Sequence, residues 1–247
     1  MNNINRDRVL YGMCNDLRQQ QHIAFKTHAG FAIYSPETPV WIRLARGTTD
    51  SETRAFFMDF CQNNQQLVGI VAENNIAEIC ARAYNRSFTQ QEITAYYLPP
   101  ETVLQETNTR GELRTVSAAE MPLITEWLQA FYTETLHTAS PQLTANKKAE
   151  DNLYPPPRLY FWSDAQPVSM GMFIGSGETC RLNLIYTAPA FRNKGYGKAL
   201  VLSLARKARE AGQIPMLYTA SDNTASNHLY RSCGFTEAGR LTEVRFT

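Results

Sequence analysis

The sequence predicts an α/β protein of the layered α+β kind, built as two mixed-sheet domains, each a central sheet with helices on both faces. Three observations lead there. Apolar strand-like runs alternate with amphipathic helical stretches along the chain. The order strand–helix–strand–helix–strand occurs twice. Between the two occurrences, "LPPETVLQETNTRGELR" breaks the rhythm with two prolines and a polar run. That break places a boundary near residues 106 to 111 and domains at 1–108 and 111–247.

The first half opens with "DRVLYGMCNDLRQQQHI", most simply an amphipathic helix. "PVWIRLA" then reads as a strand, "SETRAFFMDFCQNNQ" as a helix and "LVGIVAE" as a strand. "NNIAEICARAYN" is a second helix, and "EITAYYL" a strand that the two prolines end. The second half starts with a strand-like "ELRTVSA", a helix "EMPLITEWLQAFYTETL" and a helical "TANKKAEDNLY" that the triple proline of "YPPPR" stops. "LYFWS", "VSMGMFIG" and "CRLNLIYT" are joined by the turns "DAQP" and "SGET" and read as a three-stranded meander. A Gly-rich loop, a helix over 198–211, a strand "MLYTA", a helix over 223–232 and a strand "RLTEVRF" complete it. From first to second strand of the repeated unit is 28 residues in the first half (39 to 67) and 35 in the second (181 to 216). The missing length falls at "RGTTDSE", which has one glycine and no G-x-G. The first half therefore reads as a copy of the second without its ligand loop.

Composition excludes several classes. A formal charge of +1 provides no broad field for nucleic acid or a membrane surface, so neither is expected as a partner. No apolar run approaches the roughly 20 residues that span a bilayer, and "MNNINRDRVL" lacks the parts of a signal peptide. Five cysteines, none in a CxxC pair, argue for reduced, mostly buried thiols in a cytoplasm. No His/Cys cluster has metal-ligand spacing, so no metal is expected.

The chemistry concentrates in "RNKGYGK", residues 192 to 198. Helix N-termini expose unpaired N–H groups and a partial positive charge, which suits anions. Gly195 and Gly197 would allow positive φ and a close approach of phosphate to backbone. Arg192, Lys194 and Lys198 would neutralise a pyrophosphate from the rim, with Asn193 and Tyr196 between them. The plain alternative is a flexible basic turn before a helix.

The longer segment "LNLIYTAPAFRNKGYGKALV" resembles the acyl-CoA-binding signature of the GNAT acetyltransferase superfamily. That signature is a strand ending in a proline, then Arg or Gln, two residues, Gly, one residue, and Gly or Ala opening a helix. Arg192, Gly195 and Gly197 occupy its fixed positions. Downstream, "DNTASNHLYRSCGF" is similar to the second signature, with Asn223, Tyr230 and the pair Gly234-Phe235 in place. The resemblance covers about residues 181 to 236. It makes the N-terminal half a degenerate GNAT-like domain and the C-terminal half the acetyltransferase domain.

The resemblance implies acetyl-CoA as co-substrate and an amine-bearing acceptor, most simply a small molecule. Pantetheine would insert between "LNLIYT" and "MLYTA", pairing with backbone groups of Leu184, Ile185, Tyr186 and Thr187. Acyl transfer would proceed by direct attack in a ternary complex. Tyr230 would act as general acid toward the leaving thiolate, since a phenol is ordinarily protonated at neutral pH; otherwise it is a packed helix-end residue with Gly234 at the cap. Asn223 and Asn227 would contact CoA, although Asn223 also suits a helix cap. The strand carboxylate of some family members is replaced by Arg181 and Asn183, so the base stays open among Glu178, Asp164, Glu134, His137, Tyr186 and a water chain. A non-catalytic acyl-CoA-binding regulatory module is the alternative, and the chain could be a monomer or a homodimer.

Overall fold

The computed structural model describes residues 12, 23–34, 38–62, 64, 66–136 and 158–247. The first predicted helix lies outside these residues, apart from its two members Gly12 and Ile23; so do the helical stretch 144–154 and the triple proline. The chain forms two compact units. One comprises the chain up to Tyr97 together with Tyr218–Asn227 and Thr236–Thr247, and the other Leu98–Leu217 and His228–Phe235. The units are thus interleaved in sequence rather than divided at residues 106 to 111.

The first unit holds strands β1 (Ile23–Thr27), β2 (Gly30–Tyr34), β3 (Val40–Leu44), β4 (Gly69–Ala72), β5 (Phe88–Tyr97) and the chain's last strand, β11 (Thr236–Phe246), in the order β1-β2-β3-β4-β11-β5. β3 and β4 run parallel and the other neighbours antiparallel. The hairpin of β1 and β2 is an addition to the sequence reading. Helices α1 (Asp50–Gln62) and α2 (Asn74–Tyr84) place Phe56, Phe57, Phe60, Ile76, Ala77, Cys80 and Ala81 on Val40, Ile42, Ile70, Ala72 and Val244. Both described helices share that one core cluster, so they lie together on one face of the sheet. The reason is local: β3 presents Val40, Ile42 and Leu44 to one side, and the two helices must cover the same apolar stripe.

The interleaving follows from β11. It pairs with β4 over Gly69–Ala72 and with β5 over Phe88–Tyr97, so both its hydrogen-bonding edges are satisfied by strands from the first half of the chain.

The second unit holds β6 (Glu112–Thr115), β7 (Leu159–Asp164), β8 (Gln166–Ser176), β9 (Thr179–Thr187) and the start of β10 (Ile214–Ala220), in the order β10-β9-β8-β7-β6. Here the helices do lie on both faces. Helix α3 (Met121–Leu136) sets Ile124, Trp127, Leu128 and Tyr132 on Leu159, Phe161, Met170, Met172 and Tyr186. Helix α4 (Tyr196–Glu210) covers the opposite face, where Leu200 and Leu204 crowd Gly171 and Lys207 lies over Tyr160 and Phe173. Helix α5 (Thr224–Ser232) carries the chain from the first unit into the second.

The polar run after Tyr97 is not a loose connection. Residues 98 to 110 lie along α4, held at Leu98 N–H by the Pro215 carbonyl (2.9 Å) and at the Pro99 and Thr102 carbonyls by the Arg209 guanidinium (2.6 Å each). Arg206 donates to the Gln105 carbonyl (2.6 Å), and Trp162 Nε1 to that of Arg110 (2.9 Å).

Candidate active site

The site is built where β9 hands over to α4. The parallel ladder between β10 and β9 runs from Ile214↔Thr179 to Met216↔Arg181 and ends there. Immediately beyond it β9 bulges: on β8, Met172 faces Asn183 but Met170 faces Tyr186, so Leu184 and Ile185 together oppose Gly171. Leu184 takes φ of +51°, rare for a γ-branched residue, and its N–H is taken up by the Asn183 side chain (2.8 Å). A side chain at position 171 would strike Ile185 Cδ1 and Leu204 Cδ1 at 2.8 Å, so the bulge needs that glycine. The sequence reading missed the bulge. Its only signals were a glycine inside the run "VSMGMFIG" and a short amide beside the bulged residue. Because Leu184 N–H is satisfied internally, this one of the four predicted backbone contacts is not offered outward.

A short 3₁₀ turn, Pro189–Phe191, follows the strand. The chain then takes left-handed φ at Asn193 (+61°) and Gly195 (+84°) before α4 begins at Tyr196. Gly195 is the N-cap and supplies no side-chain acceptor to the first turn. Alternating left-handed residues ahead of a helix turn successive N–H groups toward one point, an anion-binding geometry. Gly197 differs from the expectation: it is helical, without positive φ. Its need is for space, since a Cβ there would lie 3.2 Å from Thr187 Oγ1 and 3.7 Å from Leu229 Cδ2.

The three cations are more committed than expected. The Arg192 guanidinium donates to the Thr187 carbonyl and to both carboxylate oxygens of Glu134, each at 2.9 Å, and lies over the Tyr186 ring. It shapes the loop instead of standing as an open charge at the rim. Lys194 donates to the Ala190 carbonyl (3.0 Å) and Lys198 to Gln105 Oε1 (3.3 Å). Tyr196 donates to Asp164 Oδ2 (2.6 Å), a bond that raises the Tyr196 phenol above its ordinary value.

Among the candidate bases, Asp164 and Glu134 do reach the loop, each through those partners. Glu178 lies in the turn at the start of β9, the end opposite the loop. Burial, with Glu134 next, pushes the Tyr186 hydroxyl up, which opposes a role as base. His137 lies outside the described residues.

Tyr230 is in the last turn of α5, 6% exposed. Gly234 (φ +90°) closes the helix: Phe235 N–H donates to the Tyr230 carbonyl and Gly234 N–H to that of Arg231, and the Phe235 ring packs at 6.2 Å from the Tyr230 ring. This Schellman closure fixes the backbone that carries the phenol. Cys233 beside it is buried, which pushes its thiol up to about 11 and keeps it protonated at neutral pH.

The two asparagines have structural duties. Asn223 Oδ1 accepts from Ser226 N–H (3.0 Å), an N-cap of α5. Asn227 is 3% exposed; its Nδ2 donates to the carbonyls of Ala220, Ser221 and Asn223, and its Oδ1 accepts from Tyr96 (2.8 Å). Asn227 thus spends its Nδ2 on the turn before α5 and its Oδ1 on Tyr96 of β5.

A strand with a bulge, a turn with paired left-handed residues, and an uncapped helix start thus meet at one end of β9. Residues 121–235 match the family model of the GNAT acetyltransferases. These residues resemble a GNAT acetyltransferase domain. Solved structures agree in fold across nearly the whole chain. A GCN5-related N-acetyltransferase from Kribbella flavida superposes with a TM-score of 0.67 at 10% identity, covering 100% of this chain and 96% of that one. A GNAT-family acetyltransferase from Colwellia psychrerythraea gives 0.58 at 15% identity, covering 92% and 85%. A GCN5-related N-acetyltransferase from Sphaerobacter thermophilus gives 0.60 at 12%, covering 88% and 76%. No curated protein matches the sequence. The chain is thus similar over residues 121–235 to the GNAT acetyltransferases, and its fold is that of the solved GNAT structures. Among the described residues no helix is long and apolar enough to cross a membrane, and no cluster of His, Cys, Asp and Glu suits a metal ion.

Proposed function

We propose that this chain binds acetyl-CoA with its pyrophosphate on the N–H groups of residues 195 to 198 and passes the acetyl group to an amine. The observation that carries this reading is the turn itself: left-handed Asn193 and Gly195 lead into a helix whose cap offers no acceptor of its own. Pantetheine would follow β9 beyond the end of its ladder with β10, reaching backbone groups of Ile185, Tyr186 and Thr187. The amine nitrogen attacks the thioester carbonyl carbon, the carbonyl oxygen becomes an oxyanion, and the carbon–sulfur bond breaks as the oxyanion collapses. Tyr230 gives its proton to the departing thiolate, the amine gives its own to water, and Tyr230 regains a proton from solvent before the next turnover. The high thiol of Cys233 speaks for direct attack over a covalent enzyme intermediate.

The N-terminal half would be a copy of the fold that binds no CoA. Its order β3–α1–β4–α2–β5, with parallel β3 and β4, repeats β9–α4–β10–α5–β11. At the equivalent helix start, Thr49 and Glu52 form a capping box: Glu52 Oε2 accepts from Thr49 N–H (2.8 Å) and Thr49 Oγ1 from Glu52 N–H (3.3 Å). The Thr49 N–H bond holds the Glu52 carboxyl below its ordinary value, so a negative charge already occupies the place an anion would take. A screen of amines that follows thiol release from acetyl-CoA tests the activity; no release with any amine would argue for mere binding, and release that needs no amine would argue for hydrolysis. Titration should give one CoA per chain; two would remove the degenerate-copy reading.

A further inference from the structure

The run from Leu98 to Arg110 is fastened along α4 at close intervals and arrives at the phosphate turn. Reading up the helix, Arg209 holds Pro99 and Thr102, Arg206 holds Gln105 through its carbonyl, and Lys198 meets the Gln105 side chain. Beyond the turn, Trp162 Nε1 holds the Arg110 carbonyl. Between these fixed points stands Thr109, half-buried, with its hydroxyl directly over the N-cap: a Cβ built on Gly195 would lie only 2.9 Å from Thr109 Oγ1. On the other flank of the same turn, Thr187 Oγ1 stands beside Gly197. A hydroxyl placed there by five anchors is a hydrogen-bond donor aimed at whatever occupies the turn.

We propose that this strap is the outer wall of the cofactor site and that Thr109 is a phosphate ligand, donating its hydroxyl to a pyrophosphate oxygen of CoA. The inference rests on the proposed CoA reading of the turn. It assigns a binding residue to a segment that lies before residue 121, where the family match begins. Gln105 has a supporting part, holding Lys198 at the first turn of α4, one step from the phosphates.

Calorimetry with two probes tests it: CoA, and pantetheine, which lacks the phosphates. Thr109→Val removes the donor and keeps the shape. It should weaken CoA by about tenfold, the effect of one hydrogen bond to a charged group. Thr109→Ser should restore CoA affinity, and pantetheine should bind all three proteins alike. Unchanged CoA affinity in Thr109→Val would overturn the assignment, and tighter binding would overturn it in favour of a strap that must be displaced. Gly197→Val separates this from the underlying reading. Weak CoA binding there, with normal binding in Thr109→Val, removes only the strap. Normal binding in Gly197→Val removes the phosphate turn itself.

Discussion

Gly197→Val is the cleanest perturbation of the proposed phosphate turn, since the signature admits alanine but no larger side chain at this position. Gly195 is a poor target: its φ of +84° costs an L-residue roughly 1–2 kcal/mol, and any Cβ would also strike Thr109. Gly197 is helical, and an added Cβ would meet Thr187 Oγ1 at 3.2 Å and Leu229 Cδ2 at 3.7 Å. The first contact is relieved by a shift of a few tenths of an ångström in a side-chain hydroxyl. Against that small cost, valine gains a few tenths of a kcal/mol over glycine in a helix. Stability should therefore change by less than about 1 kcal/mol in either direction. Binding should not be spared. The valine side chain occupies the space between the first turn, Thr187 and Leu229, and losing one charge-assisted hydrogen bond there costs about 1.5–3 kcal/mol. At 1.4 kcal/mol per decade, CoA affinity should fall by about 10- to 150-fold. Calorimetry with CoA, alongside thermal melting of the same preparation, reads both quantities. Wild-type affinity in a protein of wild-type stability would refute the placement of the pyrophosphate.

Tyr230→Phe should lower thiol release by about 10²–10⁴ while leaving acetyl-CoA affinity near wild type, because the proton is needed only as the thiolate departs; wild-type turnover would return Tyr230 to packing. Glu120 is held by Arg114 (3.0 Å to Oε2) and by Ser117, which lowers its carboxyl from 4.5 to about 2. A depressed carboxyl stabilises the fold above its unfolded value, so melting of Glu120→Gln should show a deficit of about 1 kcal/mol above pH 4.5. The deficit should shrink as pH falls toward 2, and one that is constant with pH would exclude this ion pair as its source. A fragment of residues 111 to 247 removes both neighbours of β11, so it should fail to give a cooperative melt or a dispersed amide spectrum. A well-folded monomeric fragment would show that β11 does not depend on β4 and β5.

Much of this was legible in the chain because it is local. Helix α4 begins two residues ahead of its predicted start, and β7, β8 and β9 form the expected meander. Amphipathic period and turn residues act over a few positions, so "CRLNLIYT" and "RNKGYGKALV" declare a strand and a helix start without help from elsewhere. The same locality made Gly195 readable: a turn of that kind needs positive φ, and glycine meets the need most cheaply.

What stayed hidden depends on residues far apart in sequence. Nothing within "RLTEVRF" states that it will lie between β4 and β5, since a strand's neighbours are chosen by edges it cannot see. The bulge at Leu184 requires Gly171 on the facing strand. The purpose of Asn227 appears only once Tyr96, 131 residues earlier, delivers its hydroxyl. Residues 98 to 110 read as punctuation because their polar pattern satisfies no period. They became a strap because Arg206 and Arg209 present guanidinium groups that their carbonyls can reach. The sequence by itself determined most of the described elements, their order and the glycine turn, all products of short-range sterics and periodicity. Only the tertiary structure decided which strands pair, which polar groups are consumed and what stands over the turn, because each of those depends on partners that folding brings together.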